Sequence, residues 1–330
     1  MEVVFALGSN GSGQLGIGHK EDVSVPKQVI FHPDPPTSSI VQVTAGGNHT
    51  LLLTKTGQLY WSGDSTPGAC GLTSGPDVAA FQELQLTKNG EPPVGEVALI
   101  TATWEASIIV VKDAEGKNTH VFSFGAGLKG ELGLGELIVR TPSATRIREF
   151  PPAGTEVVDL AACMGHVVAV LGNGDVYGWG NTRKSQAGLD FKVTRAVCGR
   201  EFTCLFGDPQ SGNLKVLGSD KWKIQSDAPK TCPEWKDVGA SWGNIFILAK
   251  DGSLQAWGRD DHGQLPPSNL PELSKITIGS EHVVALSTAG DVLSWVGVNT
   301  AIVGLKLRTT TLKVDGTSLL RPNLFLQALR

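Results

Sequence analysis

The chain is short of several things at once. Of its 330 residues only two are Tyr and two are Met. No run approaches the roughly 18 apolar residues that a membrane span needs, and Met1 is not followed by the basic and then apolar stretch of a secretory leader. Those absences predict a protein of the cytoplasm or nucleus. Positive charge is not in excess: 28 Lys and Arg against 32 Asp and Glu leave a net charge of −4. That balance gives no basic footprint for unaided nucleic-acid binding. The five cysteines are odd in number and form no C-x-x-C. Cys163, Cys198 and Cys204 sit inside apolar runs, which predicts buried thiols rather than disulfides or a zinc site. On that reading the Asn10-Gly-Ser12 and Asn48-His-Thr50 sequons are chance matches. Stretches able to carry helices are few and short.

What the chain has instead is glycine, 41 residues, about twice the usual fraction, and the glycines are periodic. Residues 157–181, VVDLAACMGHVVAVLGNGDVYGWGN, contain a short apolar strand ending in a corner at Cys163–His166. A second strand runs from there to an Asn-Gly turn, and a third ends in Trp-Gly. Counted from His166, Gly174 lies 8 residues on and Gly180 lies 14 on. The same offsets lead from His49 to Gly57 and Gly63, and from Asn244 to Gly252 and Gly258; from His282 the first leads to Gly290. Weaker copies centred on Ala106 and Phe202 reach Gly116 and Gly212 after 10 residues. Self-similarity at this period outranks any single-site motif and predicts an all-β repeat architecture.

Residues 3–29 make half a copy, a strand ending in Gly8 and an exit marked by Pro26. Gly11, Gly13 and Gly16 spell G-x-G-x-x-G there, but no helix pattern follows, and Gly130-Glu131-Leu132-Gly133 and Gly263-Gln264-Leu265 occupy the same place after later strands. A turn between repeats is the better reading than a dinucleotide site. Residues 64–96 are long, Pro/Gly-bearing and poor in pattern, and they predict a surface insertion leaving the domain. Strand ends of the Trp-Gly kind occur seven times, at Gly8, Gly63, Gly125, Gly180, Gly218, Gly258 and beside Trp295, whereas the corner halves occur six times. A ring closed by pairing an N-terminal half-repeat with a C-terminal one predicts that inequality and hides the sheet edges. The expectation is a seven-bladed β-propeller over residues 1–295.

Residues 296–330 depart from the pattern, which demands Gly at position 296 and a Gly-rich turn after it. A frame one base earlier, starting at the last base of the Trp295 codon, permits Gly-Trp-Gly-Glu-His-Gly-Asn-Cys-Gly. The expectation is a frame-shifted segment, with an open edge on the last blade.

The G-x-x-H corner, the W-G strand end and the G-x-G-Q-L-G turn resemble the repeats of the regulator-of-chromosome-condensation propeller family. Within that family ALGSNGSGQLGIGHKED, AGGNHTLLLTKTG, TWEASIIV and GSEHVVALS are similar to the small single-propeller fungal alpha-tubulin suppressors. The resemblance implies a non-catalytic binding subunit without cofactor. It would form a heterodimer with a small CSL-type zinc- or iron-binding protein that serves diphthamide synthesis and Elongator-dependent modification of tRNA wobble uridines. The family's founding member is a guanine-nucleotide exchange factor for a small nuclear GTPase. Exchange needs an inserted wedge, and residues 64–96, its sizeable candidate, lack a clear hairpin pattern.

Chemistry-bearing residues fit binding better than catalysis. His49, His166 and His282 could be three neutral imidazole ligands for a metal. Standing at equivalent positions of different repeats, they are better read as buried rings bonded to backbone between blades. Asp175, Asp251 and Asp291 flank turn glycines and cap hairpins, and no Ser-His-Asp order with a nucleophile elbow is visible. Trp61, Trp179, Trp257 and Trp295 alternate within strands and read as core. Trp104 and Trp242 stand beside corners, where partner contact and local packing are equally open to them. The resemblance implies a partner surface at the corners: Trp104, Glu105, Trp242 and Asn244, with Asn48, Glu201 and Glu281 at neighbouring ones.

Overall fold

The computed structural model describes residues 3–70, 78–84, 95–181 and 189–296, and the chain forms two compact units, Met1–Ala196 and a second that begins at Val197. Seven antiparallel-based sheets follow in chain order, as many as a seven-bladed propeller has. In the first unit a two-stranded sheet (Phe5–Gly8, Val23–Gln28) comes first. A five-stranded one follows, built on Ile40–Ala45, His49–Thr54 and Leu59–Gly63, with Val78–Glu83 and Phe31–His32 outside them. The third sheet has four strands (Val97–Ala102, Ala106–Lys112, Asn118–Ala126, Arg140–Arg146), and the fourth has three (Val157–Cys163, His166–Leu171, Val176–Gly180). The fifth sheet (Arg195–Cys198, Phe202–Phe206, Leu214–Gly218) spans the unit border. The sixth (Trp235–Ala240, Asn244–Ala249, Leu254–Gly258) and seventh (Leu273–Ile278, His282–Ser287, Val292–Val296) belong to the second unit.

The spacing of the repeat has a steric origin at two positions. The residue that opens each second strand pairs with the glycine that closes the third: His49 with Gly63, Ala106 with Gly125, His166 with Gly180, Phe202 with Gly218 and Asn244 with Gly258. These glycines have φ between 88° and 118°. A Cβ on any of them would also lie 2.2–2.4 Å from the carbonyl oxygen before the corner residue. Neither condition admits a side chain, so the W-G signature is a backbone contact written into sequence. In the seventh sheet Val296 occupies that pairing position opposite His282.

The glycine three residues before the corner has a different cause. A Cβ on Gly46, Gly199 or Gly279 would lie 2.0–2.2 Å from the ring of His49, Phe202 or His282. Where the corner residue has no ring, a hydroxyl takes over the space. The Ala106 and Asn244 amides each donate to the hydroxyl of Thr103 or Ser241, both at 3.1 Å.

The apolar faces pack sheet against sheet within each unit. In the first, Leu51, Trp61, Ile109 and Phe124 form one core and Val121, Val157, Val167 and Leu171 another. In the second, Phe206, Val238, Ile245 and Trp257 form one and Phe246, Ile276, Val283 and Trp295 another. Trp61, Trp257 and Trp295 are buried and Trp179 is half-buried against its core, as their alternation predicts. All five cysteines are free thiols, four of them buried. The sequence places residues 64–96 outside the domain; the structure corrects this. Val78–Glu83 pairs with Leu59–Gly63 as a strand of the second sheet, Phe81 is buried, and Ala69 and Cys70 are fully enclosed. The frame-shift expectation falls on residues 297–330, outside the described residues.

Candidate partner-binding surface

The site is built on the corners. Between the first two strands of each copy one residue lies two positions before the strand opener: Gly47, Trp104, Met164, Arg200, Trp242 and Ser280. In the first unit the Gly47 amide donates to the Trp104 carbonyl (2.8 Å) and the Trp104 amide to that of Met164 (3.0 Å). In the second unit Arg200 donates to Trp242 (3.0 Å) and Trp242 to Ser280 (2.8 Å). Within each unit, successive corners are thus tied to one another by main-chain hydrogen bonds. These bonds make no demand on side-chain type, and what stands there varies from glycine to tryptophan.

The strand openers do the opposite. His49, Ala106, His166, Phe202, Asn244 and His282 are all buried. Ser107 Oγ donates to the Ala69 carbonyl at 2.6 Å, so the His49 Nε2–H donates to Ser107 Oγ at 3.0 Å. The expected backbone partner is therefore reached through a serine on the neighbouring sheet. Burial pushes the pKa of His49 and of His282 down to about 4 and lowers that of His166; the charge of Asp64 opposes this at His49. Asp64, His49 and Ser107 contain the residue types of a hydrolase triad, yet the serine is fully enclosed with its proton committed to a carbonyl, so no substrate can reach it. Among the described residues no group of three His, Cys, Asp or Glu is placed to hold a metal.

Of the residues expected on the surface, Trp104 is 36% exposed with its indole over Gly47, where an added Cβ would meet the ring at 2.6 Å. Glu105, Asn48 and Glu201 are exposed. Trp242 is half-buried with the Arg200 guanidinium 5.7 Å from its ring centroid. Glu281 is partly buried and paired with Arg259 at 2.7 Å. Asn244 is a correction. It is 1% exposed, accepts the Ser241 hydroxyl on Oδ1 (2.9 Å) and donates through Nδ2 to the Arg259 carbonyl, so it supports the corner from inside.

Other surface residues escape the repeat alignment. The segment after Gly125 leaves the third sheet at its corner end, since Gly125 pairs with Ala106 and Ala126 donates to the Glu105 carbonyl. It carries Leu128, 82% exposed, and Leu137, 97% exposed, with Ile138 and Val139 beside them; the Gly127 amide bonds the Val139 carbonyl. In the second unit the segment after Gly218 leaves the corner end in the same way and carries Trp222, 41% exposed. Six of the eleven large apolar side chains exposed among the described residues thus lie at corner ends: Trp104, Leu128, Leu137, Ile138, Val139 and Trp222. The sequence signal for Leu137–Val139 is an apolar triplet that reads equally as strand.

Models of the regulator of chromosome condensation (RCC1) repeat match residues 3–53 and 40–68. An RCC1 repeat-containing protein of Schizosaccharomyces pombe is 29% identical over 319 residues, covering 88% of this chain and 86% of that protein. The secretion-regulating guanine nucleotide exchange factor of mouse is 28% identical over 312 residues, covering 89% of this chain but 59% of the relative. The crystal structure of Prp20p from Saccharomyces cerevisiae aligns with a TM-score of 0.70 at 19% identity, over 91% of this chain and 83% of that one. At that identity the likeness speaks to fold alone. The RCC1 repeat is thus matched over residues 3–68, and the chain has the fold of the RCC1 propellers.

Proposed function

We propose that this protein is a non-catalytic binding subunit that holds a small CSL-type zinc- or iron-binding protein against its corner loops, and through it supports diphthamide synthesis and Elongator-dependent wobble-uridine modification. The observation that carries the binding reading is the concentration of exposed apolar side chains at corner ends, on main chain that is already bonded in place. A surface ordered before binding loses little entropy on association. Five of these side chains, Trp104, Leu128, Leu137, Ile138 and Val139, belong to the corner end of the third sheet alone, and exposed apolar groups gathered on one sheet end mark contact sites rather than ordinary surface. The identity of the partner comes from the resemblance to the alpha-tubulin suppressors, and its place of action would be the cytoplasm and nucleus.

Titrating the CSL-type protein into this one by calorimetry tests the proposal, with a saturable one-to-one complex expected and no heat of binding overturning it. The second reading, guanine-nucleotide exchange on a Ran-like GTPase, is favoured by a relative that bears an exchange-factor name. Release of a fluorescent nucleotide from such a GTPase separates the two, since the binding-subunit reading predicts no acceleration.

A further inference from the structure

The loop between strands Leu214–Gly218 and Trp235–Ala240 presents an exposed triplet, Lys221-Trp222-Lys223, on a fixed base. The Asp220 carboxylate accepts the amides of Gln225 (2.8 Å) and Ser226 (3.0 Å) and the Ser226 hydroxyl (2.9 Å). The Gln225 side chain donates back to the Gly218 carbonyl at 2.6 Å, closing the loop on its own sheet. Beneath the tip Ile224 is buried, and its carbonyl accepts the Trp257 indole N–H at 2.9 Å. A loop held at both ends and from below has little freedom, so the exposure of the indole is imposed by structure.

The imposition has a cost. Trp222 and Lys223 have φ of +64° and +56°, two consecutive non-glycine residues in the left-handed region. Each such residue is strained and persists where the surroundings fix it, which is why such outliers cluster at functional positions. Glycine would stand there without strain.

The charges around the ring are unequal in what they leave over. Arg259 lies with its guanidinium 5.4 Å from the Trp222 centroid, and it is already paired with Asp261 (2.6 Å) and Glu281 (2.7 Å). Lys221, with Nζ 5.3 Å from the same centroid, and Lys223 are in no ion pair among the described residues. The tip therefore offers one exposed aromatic ring and two cations outside any ion pair. A nucleic-acid strand would place an aromatic ring and lysines to the same use. Its phosphate at every nucleotide would, however, run toward Asp220 on the tip's own loop and toward Asp261 and Glu281, the carboxylate partners of the Arg259 that lies against the Trp222 ring. A short peptide segment with one or two carboxylates need meet only the tip.

We propose that the Lys221-Trp222-Lys223 tip is a docking element for an acidic segment of a protein partner. Trp222 packs on the segment's apolar side chains, and the two lysines face its carboxylates. The inference deepens the binding reading above and rests on it for the partner used in the test.

The test compares wild-type protein, Trp222→Gly and Lys221→Glu/Lys223→Glu in calorimetric titrations with the CSL-type protein at two salt concentrations, with thermal melts of each. Wild type should bind, more weakly at the higher salt. Trp222→Gly should bind at least about tenfold more weakly while melting no lower, because glycine relieves the left-handed strain. The charge reversal should weaken binding by a similar factor and flatten its salt dependence. Affinities within twofold of wild type in both variants would remove the tip from the interface and leave the binding reading standing. A lower melting temperature for Trp222→Gly with unchanged affinity would assign the tip to fold maintenance. Failure of the wild type to bind at all would overturn both readings. If wild type binds a single-stranded oligouridine and the variants do not, the tip is a nucleic-acid platform and the acidic-peptide assignment fails.

Discussion

Two positions in each repeat, two residues apart, follow opposite rules. The strand opener is His49, Ala106, His166, Phe202, Asn244 or His282, and it is buried in every copy. The residue two before it is Gly47, Trp104, Met164, Arg200, Trp242 or Ser280, half-buried or exposed in every copy. The opener's side chain faces the packed sheets, so a change in its chemistry must be met by its neighbours, as the exchange of Gly for Thr103 or Ser241 illustrates. The earlier residue contributes its backbone to the fold through hydrogen bonds between successive corners of each unit, and these bonds make no demand on its side-chain type. On the proposed binding reading, stability and recognition fall to residues two apart on the same loop, and the two can be broken separately.

The largest effect is expected on the stability side. Trp61→Ala removes a buried indole from the core shared by the second and third sheets. It should cost about 3–5 kcal/mol in chemical denaturation. A loss below about 1 kcal/mol would mean that the core does not depend on the Trp-Gly strand end.

Next in size is an acid effect that belongs to the openers alone. His49 and His282 titrate near 4 in the folded protein against an ordinary 6.5. The unfolded chain therefore takes up these protons first. Their contribution is intact above pH 6.5 and is lost as pH falls toward 4, by up to about 3 kcal/mol for each histidine. Phe202 fills the equivalent position with the same glycine spacing, so His282→Phe should fold and should flatten part of that acid limb. An unchanged pH profile in His282→Phe would place the acid sensitivity elsewhere.

The frame of the fold is legible in sequence because it rests on glycines whose side chains are sterically excluded, and exclusion leaves a periodic mark. The same alignment that sets Asn244 beside His49 and His166 also assigns it to the interior; a polar residue type argues for the surface only when its repeat position is open. Val78–Glu83 is less legible, since its VAAFQE pattern has little alternation and its pairing to Leu59–Gly63 is with a sheet already complete in the repeat. Trp222 and Leu137 lie in connections that differ in length from copy to copy, so periodicity says nothing of them. Their exposure depends on which end of a sheet the chain leaves, and that is a matter of register. A tryptophan between two lysines outside any strand was the available signal for Trp222.

On the proposed reading, recognition resides in corner side chains that the fold does not need. Calorimetric titration of Trp104→Ala/Trp242→Ala with the CSL-type protein, set beside its thermal melt, tests this most directly. The double variant should bind at least about thirtyfold more weakly, the loss expected on truncating an interface anchor worth about 2 kcal/mol, and melt close to wild type. Undiminished affinity in a folded double variant would contradict the claim and move the interface away from the corners.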